Sequence, residues 1–233
     1  MLELNTAVIL PKGADIYEFA VQITGEIMER FEKPLLKKIT ESEFSFSPPS
    51  ERAEILNIAL RHASVKNGDA LDNIHYERRK ALIREQAEEY LRENNYIIIN
   101  GFVNFRLEDY KNELKNLCHD AAEELYAMRE YDEFLNMLSF FISVQSPKEN
   151  LVHIVKKDGI LRILNKRHKD ITNHYCEEAI FSGEDFGAED IVLSALITIA
   201  PRKIMIHDKK ENERIYDTIA SVFPDVEFTE SVK

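Results

Sequence analysis

The sequence predicts an α+β protein that is mostly helical, with an N-terminal helical bundle and a small C-terminal α/β unit. Apolar residues recur every three or four positions through most of residues 1–146, the spacing of helices with one buried face. After Ser146-Pro147 short runs of branched residues replace that spacing, as in strands. The chain has only 7 Gly and 7 Pro among 233 residues, so long regular elements are expected. We therefore predict a mainly helical domain over 1–146 and a small α/β domain over 147–233.

The first elements are a strand and a helix. Thr6 to Leu10 is apolar and rich in branched residues, which predicts a strand. Asp15 is the predicted N-cap of the helix, and Glu18 completes a capping-box pattern. We expect Pro34 to interrupt this helix, and Glu41 to Ser50 to form a loop because it holds four serines and two prolines.

Two further helices and an ambiguous segment follow. Ser50 is the predicted cap of the second helix, and Asn67-Gly68 is expected to end it. A charged helix with a thin apolar face is predicted from Ala70 to Asn94. Tyr96 to Phe102 favours a strand, although a buried helical turn joining its neighbours is the alternative.

The helical part is predicted to end with two helices. One begins near Phe105, and its apolar stripe runs from Leu107 to Met128. The other covers Tyr131 to Val144. Short connections favour antiparallel neighbours and hence a bundle.

The C-terminal part begins with a predicted β-hairpin. Leu151 to Val155 and Ile160 to Leu164 are branched runs joined through Asp158-Gly159, the strongest short hairpin signal. His153 and Arg162 should share one face of this hairpin. The other face should be buried and carries Val152, Ile154, Leu161 and Ile163.

A strand–helix–strand unit is predicted to complete the fold. After a polar stretch, a helix is expected over Ile191 to Ala200, ended by Pro201. Lys203 to His207 and Val226 to Phe228 are the predicted strands, with a helix over Asp208 to Val222 between them. Such a unit implies parallel strands with a right-handed crossover.

Composition favours a cytoplasmic protein. The net charge of −12 disfavours indiscriminate binding to nucleic acid or anionic lipid. Two cysteines, Cys118 and Cys176, are too few for a disulfide framework. The chain starts without a basic region followed by a long apolar run, and its most apolar stretches are far shorter than the ~20 residues that span a bilayer. A cytoplasmic location without membrane contact is therefore expected.

The best-placed polar cluster is His207, Asp208, Lys209 and Lys210, at the end of a predicted strand. Ligands of α/β sheets bind beyond the carboxyl ends of parallel strands, so a phosphorylated small molecule is a candidate ligand there. The simpler interpretation, which we favour, is that Asp208 and Glu211 form a capping box and the lysines face solvent.

A second cluster consists of residue types that bind metals. It comprises His168, His174, Cys176 and Glu177-Glu178, with His153 near it. Zinc motifs use tighter, repeated spacings, so a solvated polar loop is favoured. We predict no metal and no cofactor.

The third candidate is a basic group in and after the hairpin. Its phosphate-binding potential is offset by the acidic chain and by the lack of aromatic stacking residues nearby. The group comprises Lys156, Lys157, Arg162, Lys166, Arg167 and Lys169, and Arg202 and Lys203 extend it.

Catalytic motifs are missing from the sequence. It contains no nucleophile elbow, no glycine-rich dinucleotide turn and no HExxH pattern. The sequence therefore favours a protein that is not an enzyme, without excluding one.

Several segments resemble the YtxC-type family of proposed sporulation proteins. Tyr96 to Phe102, Phe105-Arg106-Leu107 and Asp109-Tyr110 are similar to the central block of that family, which Tyr131, Glu133 and Phe134 continue. Ser194 to Pro201, followed by Ile204, Ile206 and His207, is similar to its C-terminal signature. The resemblance covers roughly residues 70 to 225 and implies a role in sporulation, but it implies no catalytic residues.

The leading functional prediction is a non-catalytic adaptor or regulatory protein with a protein partner. The alternatives are a nucleic-acid-binding module that uses the basic region 156–169, and an enzyme that acts on a phosphorylated small molecule at 207–210. The oligomeric state does not follow from the sequence.

Overall fold

The computed structural model describes residues 7–64, 70–157, 159–175, 188–207 and 214–229. The chain divides into two compact units, Met1–Met128 and Arg129–Lys233. The first is helical apart from a two-stranded sheet, and the second contains a four-stranded mixed sheet. The predicted α+β class is therefore confirmed.

The first unit consists of long helices and one short pair of strands. A single core includes residues from α1 through α5. The elements, in chain order, are β1 (Ala7–Ile9), α1 (Ile16–Glu43), α2 (Pro49–Ala63), α3 (Ala70–Glu93), β2 (Tyr96–Ile98), α4 (Ile99–Phe105) and α5 (Glu108–Ser143), which ends in the second unit.

The ambiguous segment at Tyr96 contains both predicted structures. Its first three residues form β2, which pairs antiparallel with β1 through Ala7↔Ile98 and Ile9↔Tyr96. Its remaining residues begin α4. The strand at the start of the chain thus pairs with β2, whose buried Ile97 joins the first core.

Pro34 does not interrupt α1, contrary to the prediction. The helix runs unbroken from Ile16 to Glu43. Its buried residues lie on both sides of the proline and include Ile27 and Leu36. Packing of that face against α2 and α3 outweighs the loss of one main-chain hydrogen bond.

Of the two predicted helix caps, one is confirmed and one is wrong. Asp15 caps α1 as predicted, because its Oδ1 accepts a hydrogen bond from the Tyr17 amide at 2.8 Å. Ser50 is not the cap of α2, which begins at Pro49 with Pro48 as the N-cap and no side-chain cap. Proline suits the first helical position because its φ is already helical and its missing N–H would have no partner there. Asn67-Gly68 lies outside the described residues.

The two helices predicted after Phe105 are one helix, so the predicted break before Tyr131 is wrong. α5 continues from Glu108 to Ser143. Residues 128–131 contain neither Gly nor Pro, so no local signal ends the helix there. The predicted stripe is buried from Leu107 to Leu125, whereas Met128 is exposed.

A charged side chain is buried in the first core. Arg79 of α3 is 1% exposed and donates to the Glu32 carboxylate of α1 from Nε at 3.1 Å and from Nη2 at 3.3 Å. Its Nη2 also donates to the Ala63 carbonyl at the end of α2, at 2.9 Å. The Tyr110 hydroxyl of α5 donates to Glu32 at 3.0 Å. Burial raises the pKa of Tyr110 well above its usual value. Four helices are therefore joined by one hydrogen-bonded ion pair.

The second unit contains a four-stranded sheet of order β4-β3-β5-β6. β3 is antiparallel to β4, whereas β3–β5 and β5–β6 are parallel. None of the helices in the described residues is long and apolar enough to span a membrane. The elements are β3 (Leu151–Lys157), β4 (Ile160–Asn165), a 3₁₀ turn (Asn173–Tyr175), α6 (Ala188–Ile199), β5 (Lys203–His207), α7 (Arg214–Val222) and β6 (Val226–Thr229).

The predicted hairpin and parallel pair are confirmed. Lys157 pairs with Ile160 across the turn, and Gly159 has a φ of +79°, a value that glycine adopts without strain. The predicted buried residues of the hairpin are at most 5% exposed. α6 begins three residues before the predicted Ile191, and the helix predicted from Asp208 is described only from Arg214.

We expect Arg79→Met to lower the free energy of unfolding by about 3–5 kcal/mol, because the Glu32 charge then stays buried without its partner. Urea denaturation followed by circular dichroism measures this. The matched control is Arg78→Met: Arg78 pairs with Glu113, and its side chain is 63% exposed. We expect the control to cost at most about 1 kcal/mol, and equal losses in the two variants would contradict the prediction.

Candidate functional site

The C-terminal sheet has one buried face and one face that is partly exposed among the described residues, which we call the open face. Ile154, Ile204 and Ile206 are fully buried and belong to the second core. Side chains alternate along a strand, so the neighbouring residues lie on the other face. Most of these are half-exposed; they include His153, Val155, Arg162, Leu164, Lys203, Met205, His207, Glu227 and Thr229.

The strand register brings His153 and His207 together on this open face. His153 of β3 is paired with Met205 of β5, and His207 lies two residues further along β5. The two histidines are therefore diagonal neighbours, close enough for their side chains to meet. Thr229 is the β6 residue paired with His207.

The imidazoles form a hydrogen-bonded chain. His153 Nδ1 lies 2.9 Å from His207 Nε2, and His207 Nδ1 lies 2.8 Å from Thr229 Oγ1. His153 and His207 are only 7% and 6% exposed. Both nitrogens of His207 are thus hydrogen-bonded, whereas His153 Nε2 bonds to none of the described residues.

The hydrogen bonds from His153 through His207 to Thr229 can point in either of two directions, and the two differ in which nitrogen carries the proton. If the Thr229 hydroxyl donates to His207, then His207 Nε2–H donates to His153 Nδ1, and His153 carries its proton on Nε2. In the reverse direction, His153 Nδ1–H donates to His207, and Nε2 is a free acceptor. His153 therefore offers a ligand either a donor or an acceptor without changing its charge.

A third histidine lies against His153. The ring centroids of His153 and His168 are 4.9 Å apart, with planes 24° from parallel. His168 has a φ of +56°, a left-handed conformation that costs roughly 1 kcal/mol outside glycine. The Asn165 side chain stabilises this loop by accepting from the Arg167 and Lys169 amides at 2.9 and 3.1 Å.

Burial lowers the pKa of His153 below its usual value, because desolvation disfavours the charged imidazole. Repulsion from the charged forms of His207 and His168 lowers this pKa further. The neutral form of His153 is therefore stabilised in the folded protein.

The first predicted site is described only in part. His207 is in the imidazole cluster, whereas Asp208, Lys209 and Lys210 lie outside the described residues. Sequence reasoning missed Thr229 and the contact of His207 with His153. The parallel pairing of β3 with β5 creates that contact, and nothing local in either strand indicates it.

The second predicted group does not form one cluster among the described residues. His168 stacks on His153, whereas His174 packs edge-on against Tyr175. Cys176, Glu177 and Glu178 lie outside the described residues. In the part of the chain that the structure describes, no three His, Cys, Asp or Glu residues are placed to hold a metal ion.

The basic residues are exposed apart from two: Lys203, which pairs with Glu227 at 2.6 Å, and Arg162. Arg162 is half-buried, and its Nη1 donates to Asp170 Oδ2 at 2.7 Å. Its Nε, however, is buried and has no hydrogen-bond partner. Arg162 shares the open face with His153, as predicted. The exposed members are Lys156, Lys157, Lys166, Arg167 and Lys169.

A second candidate surface lies at the end of α5 in the second unit. Leu135 and Ile142 point into the core, but a separate set of large apolar side chains remains exposed. We call this set the α5 stripe; it consists of Phe134, Met137, Phe140, Phe141 and Val144, which are 51%, 63%, 70%, 55% and 65% exposed.

Comparison with known proteins identifies similar sequences but no similar structure. A model of the YtxC-like family matches residues 17–226, so the similarity begins well before residue 70, where the resemblance in the sequence starts. A Bacillus subtilis (strain 168) protein named "Uncharacterized protein YtxC" is 24% identical over 217 residues, which cover 84% of this chain and 75% of the relative. No solved structure matches.

We expect the stability of the protein to fall as the pH drops below about 6.5, the ordinary histidine pKa. The unfolded chain then takes up a proton that His153, with its lowered pKa, still resists in the folded state. A His153→Gln variant should lose less unfolding free energy between pH 7.5 and 5.5, as measured by urea titrations at each pH. His174→Gln, outside the cluster, should keep the wild-type slope. Parallel curves for wild type and His153→Gln would refute this assignment.

Proposed function

This chain belongs to the YtxC-like family, and we propose that it is a non-catalytic adaptor or regulatory protein that binds another protein through the α5 stripe. We further propose that it acts in the cytoplasm of a sporulating cell, which the resemblance to YtxC-type proteins supports.

The exposed area of the α5 stripe supports this function. Five large apolar side chains of one short segment are each more than half exposed. At roughly 200 Å² for an aromatic side chain, the three phenylalanines alone present on the order of 350 Å² of apolar surface, to which Met137 and Val144 add. A contiguous patch of that size on a soluble protein is typical of an interaction site.

The spacing of the stripe fits a helix as its partner. Phe134, Met137, Phe141 and Val144 follow one another in steps of three, four and three. This is the anchor pattern by which amphipathic helices pack together. We therefore propose that the occupant is an amphipathic helix of a partner protein.

Charge favours a basic partner over a second copy of this chain. The helix just before the stripe carries Glu130, Asp132 and Glu133 against Arg129, and the whole chain has a net charge of −12. Two copies would bring like charges together, whereas a helix flanked by Lys or Arg would be attracted. The proposed partner therefore carries basic residues beside its apolar face.

Nucleic-acid binding is the second candidate, supported by the exposed basic residues of the hairpin and the following loop. The observation against it is that the two half-buried members already have carboxylate partners, Arg162 with Asp170 and Lys203 with Glu227. If the basic group binds RNA or DNA, charge reversal at Lys156 and Lys157 abolishes binding, and the affinity falls steeply with salt.

To test the stripe, we would place a photo-crosslinking phenylalanine analogue at position 137 and irradiate sporulating cells. We expect one discrete partner protein, identified by mass spectrometry, whose crosslinked segment is an amphipathic helix with basic flanks. A synthetic peptide of that segment should bind the purified protein in fluorescence anisotropy. Met137→Glu/Phe140→Glu should weaken binding about 100-fold, because the introduced charges are buried without partners.

The control is Phe46→Glu, since Phe46 is fully exposed outside the stripe and its replacement should leave peptide binding unchanged. Crosslinks only to a second copy of this chain would refute a heterologous partner, and failure of the double variant to alter peptide binding would refute the stripe. The role in sporulation is tested separately: a deletion strain should form fewer spores, and the double variant should not restore the wild-type number.

A further inference from the structure

We propose that the open face of the C-terminal sheet binds the phosphate group of a small phosphomonoester, held between Arg162 and His153. This site lies on the sheet rather than on α5, so it does not depend on the proposed adaptor function.

The strand register places the two residues around a common floor. Arg162 of β4 is paired with Val155 of β3, and His153 lies two residues before Val155 on the same face. Arg162 and His153 are therefore diagonal neighbours, roughly 7–8 Å apart, with their Cβ atoms somewhat closer. Val155 is half-exposed, so its short side chain forms an open floor beside both residues.

Arg162 carries a donor that the described contacts do not use. Its Nη1 is held by Asp170 at 2.7 Å, which fixes the guanidinium. Its Nε is buried and has no partner, although nearly all buried polar groups in proteins are hydrogen-bonded. A ligand oxygen that packs against the guanidinium, after a small side-chain movement uncovers Nε, would complete this hydrogen bond.

His153 supplies the second donor. Its Nδ1 is directed toward His207, and the two nitrogens of an imidazole point in diverging directions. Nε2 therefore points away from β5. When the Thr229 hydroxyl donates to His207, the chain of hydrogen bonds leaves the proton of His153 on Nε2. Two donors on diagonal neighbours suit two oxygens of one phosphate, each accepting at about 2.8 Å.

The stacking of His168 on His153 supports a binding role for this face. His168 adopts a left-handed conformation to reach that position, and such strain is found where the surrounding structure holds a functional arrangement. The stacked ring restricts rotation of His153 and so keeps Nε2 in place. Lys157 lies on the same face and is exposed, which adds a positive charge near the site.

A phosphomonoester fits better than a phosphodiester. It carries a charge of about −1.5 to −2 at pH 7 and has three acceptor oxygens, whereas a diester has a single negative charge. Asp170 offsets part of the Arg162 charge, so the single negative charge of a diester is only weakly attracted to the site. None of the described strand residues on this face is a Phe, Tyr or Trp on which a nucleobase would stack.

The test uses the full-length protein with ¹³C-labelled histidine and follows imidazole signals by NMR at constant pH and ionic strength. The probes are inorganic phosphate, methyl phosphate and dimethyl phosphate. We expect saturable shifts of the His153 and His207 signals with methyl phosphate, no shift of His174, and at least ten-fold weaker binding of dimethyl phosphate. Binding of inorganic phosphate as tight as methyl phosphate would assign the site to free phosphate and overturn the ester.

Two variants locate the site. Arg162→Gln should weaken methyl phosphate binding about ten-fold, and Val155→Phe should block it by filling the floor while both donors remain. Arg202→Gln, which removes an exposed charge of the same unit, should bind as wild type does. Thermal unfolding confirms that each variant is folded. Unsaturable shifts, equal binding of dimethyl phosphate, or wild-type affinity in both site variants would overturn the proposal.

Discussion

Each of the two cores covers only one face of the elements that build it, and this constraint determines which surfaces remain for function. The second unit has about one hundred residues, which suffice for a single core between one sheet and a few helices. Its core takes the Ile154 and Ile206 face of the sheet and the Leu135 and Ile142 face of α5. The opposite face of the sheet is mostly polar and that of α5 is apolar, so two chemically different surfaces remain.

In the first unit, the constraint is the small apolar face of α3. α3 is so highly charged that its buried face contains few large apolar residues, among them Ile83 and Leu91. Arg79 fills the gap with its long aliphatic stem and joins Glu32, Tyr110 and the end of α2. A buried ion pair adds little net stability, but an altered helix register leaves its charges unpaired. We therefore expect the pair to favour this arrangement of the four helices over altered registers.

Several elements that depend on neighbouring residues in the sequence were predicted correctly. Asp15, the Asp158-Gly159 turn and β5 act through their own neighbours, and the structure contains the predicted cap, hairpin and strand. Pro34 was misjudged because packing on both sides of it outweighs a local penalty. The break before Tyr131 was wrong because a change of buried face, from the first core to the second, resembles the end of a helix in sequence. The contact of His153 with His207 depends on the pairing of strands more than fifty residues apart, which no local pattern contains.

The imidazole cluster is hard to explain as packing alone. A pair of buried leucines would stabilise the fold more than two buried histidines that bond to each other. The cluster also includes a strained backbone conformation at His168. The described hydrogen bonds of the two rings run to each other and to the Thr229 hydroxyl, and each of these groups can both donate and accept. When the direction of these hydrogen bonds reverses, His153 Nε2 changes from a donor to an acceptor, so it can bind either kind of ligand group at this face. On a face that also carries the unsatisfied Nε of Arg162, the complementary group is an acceptor with negative charge.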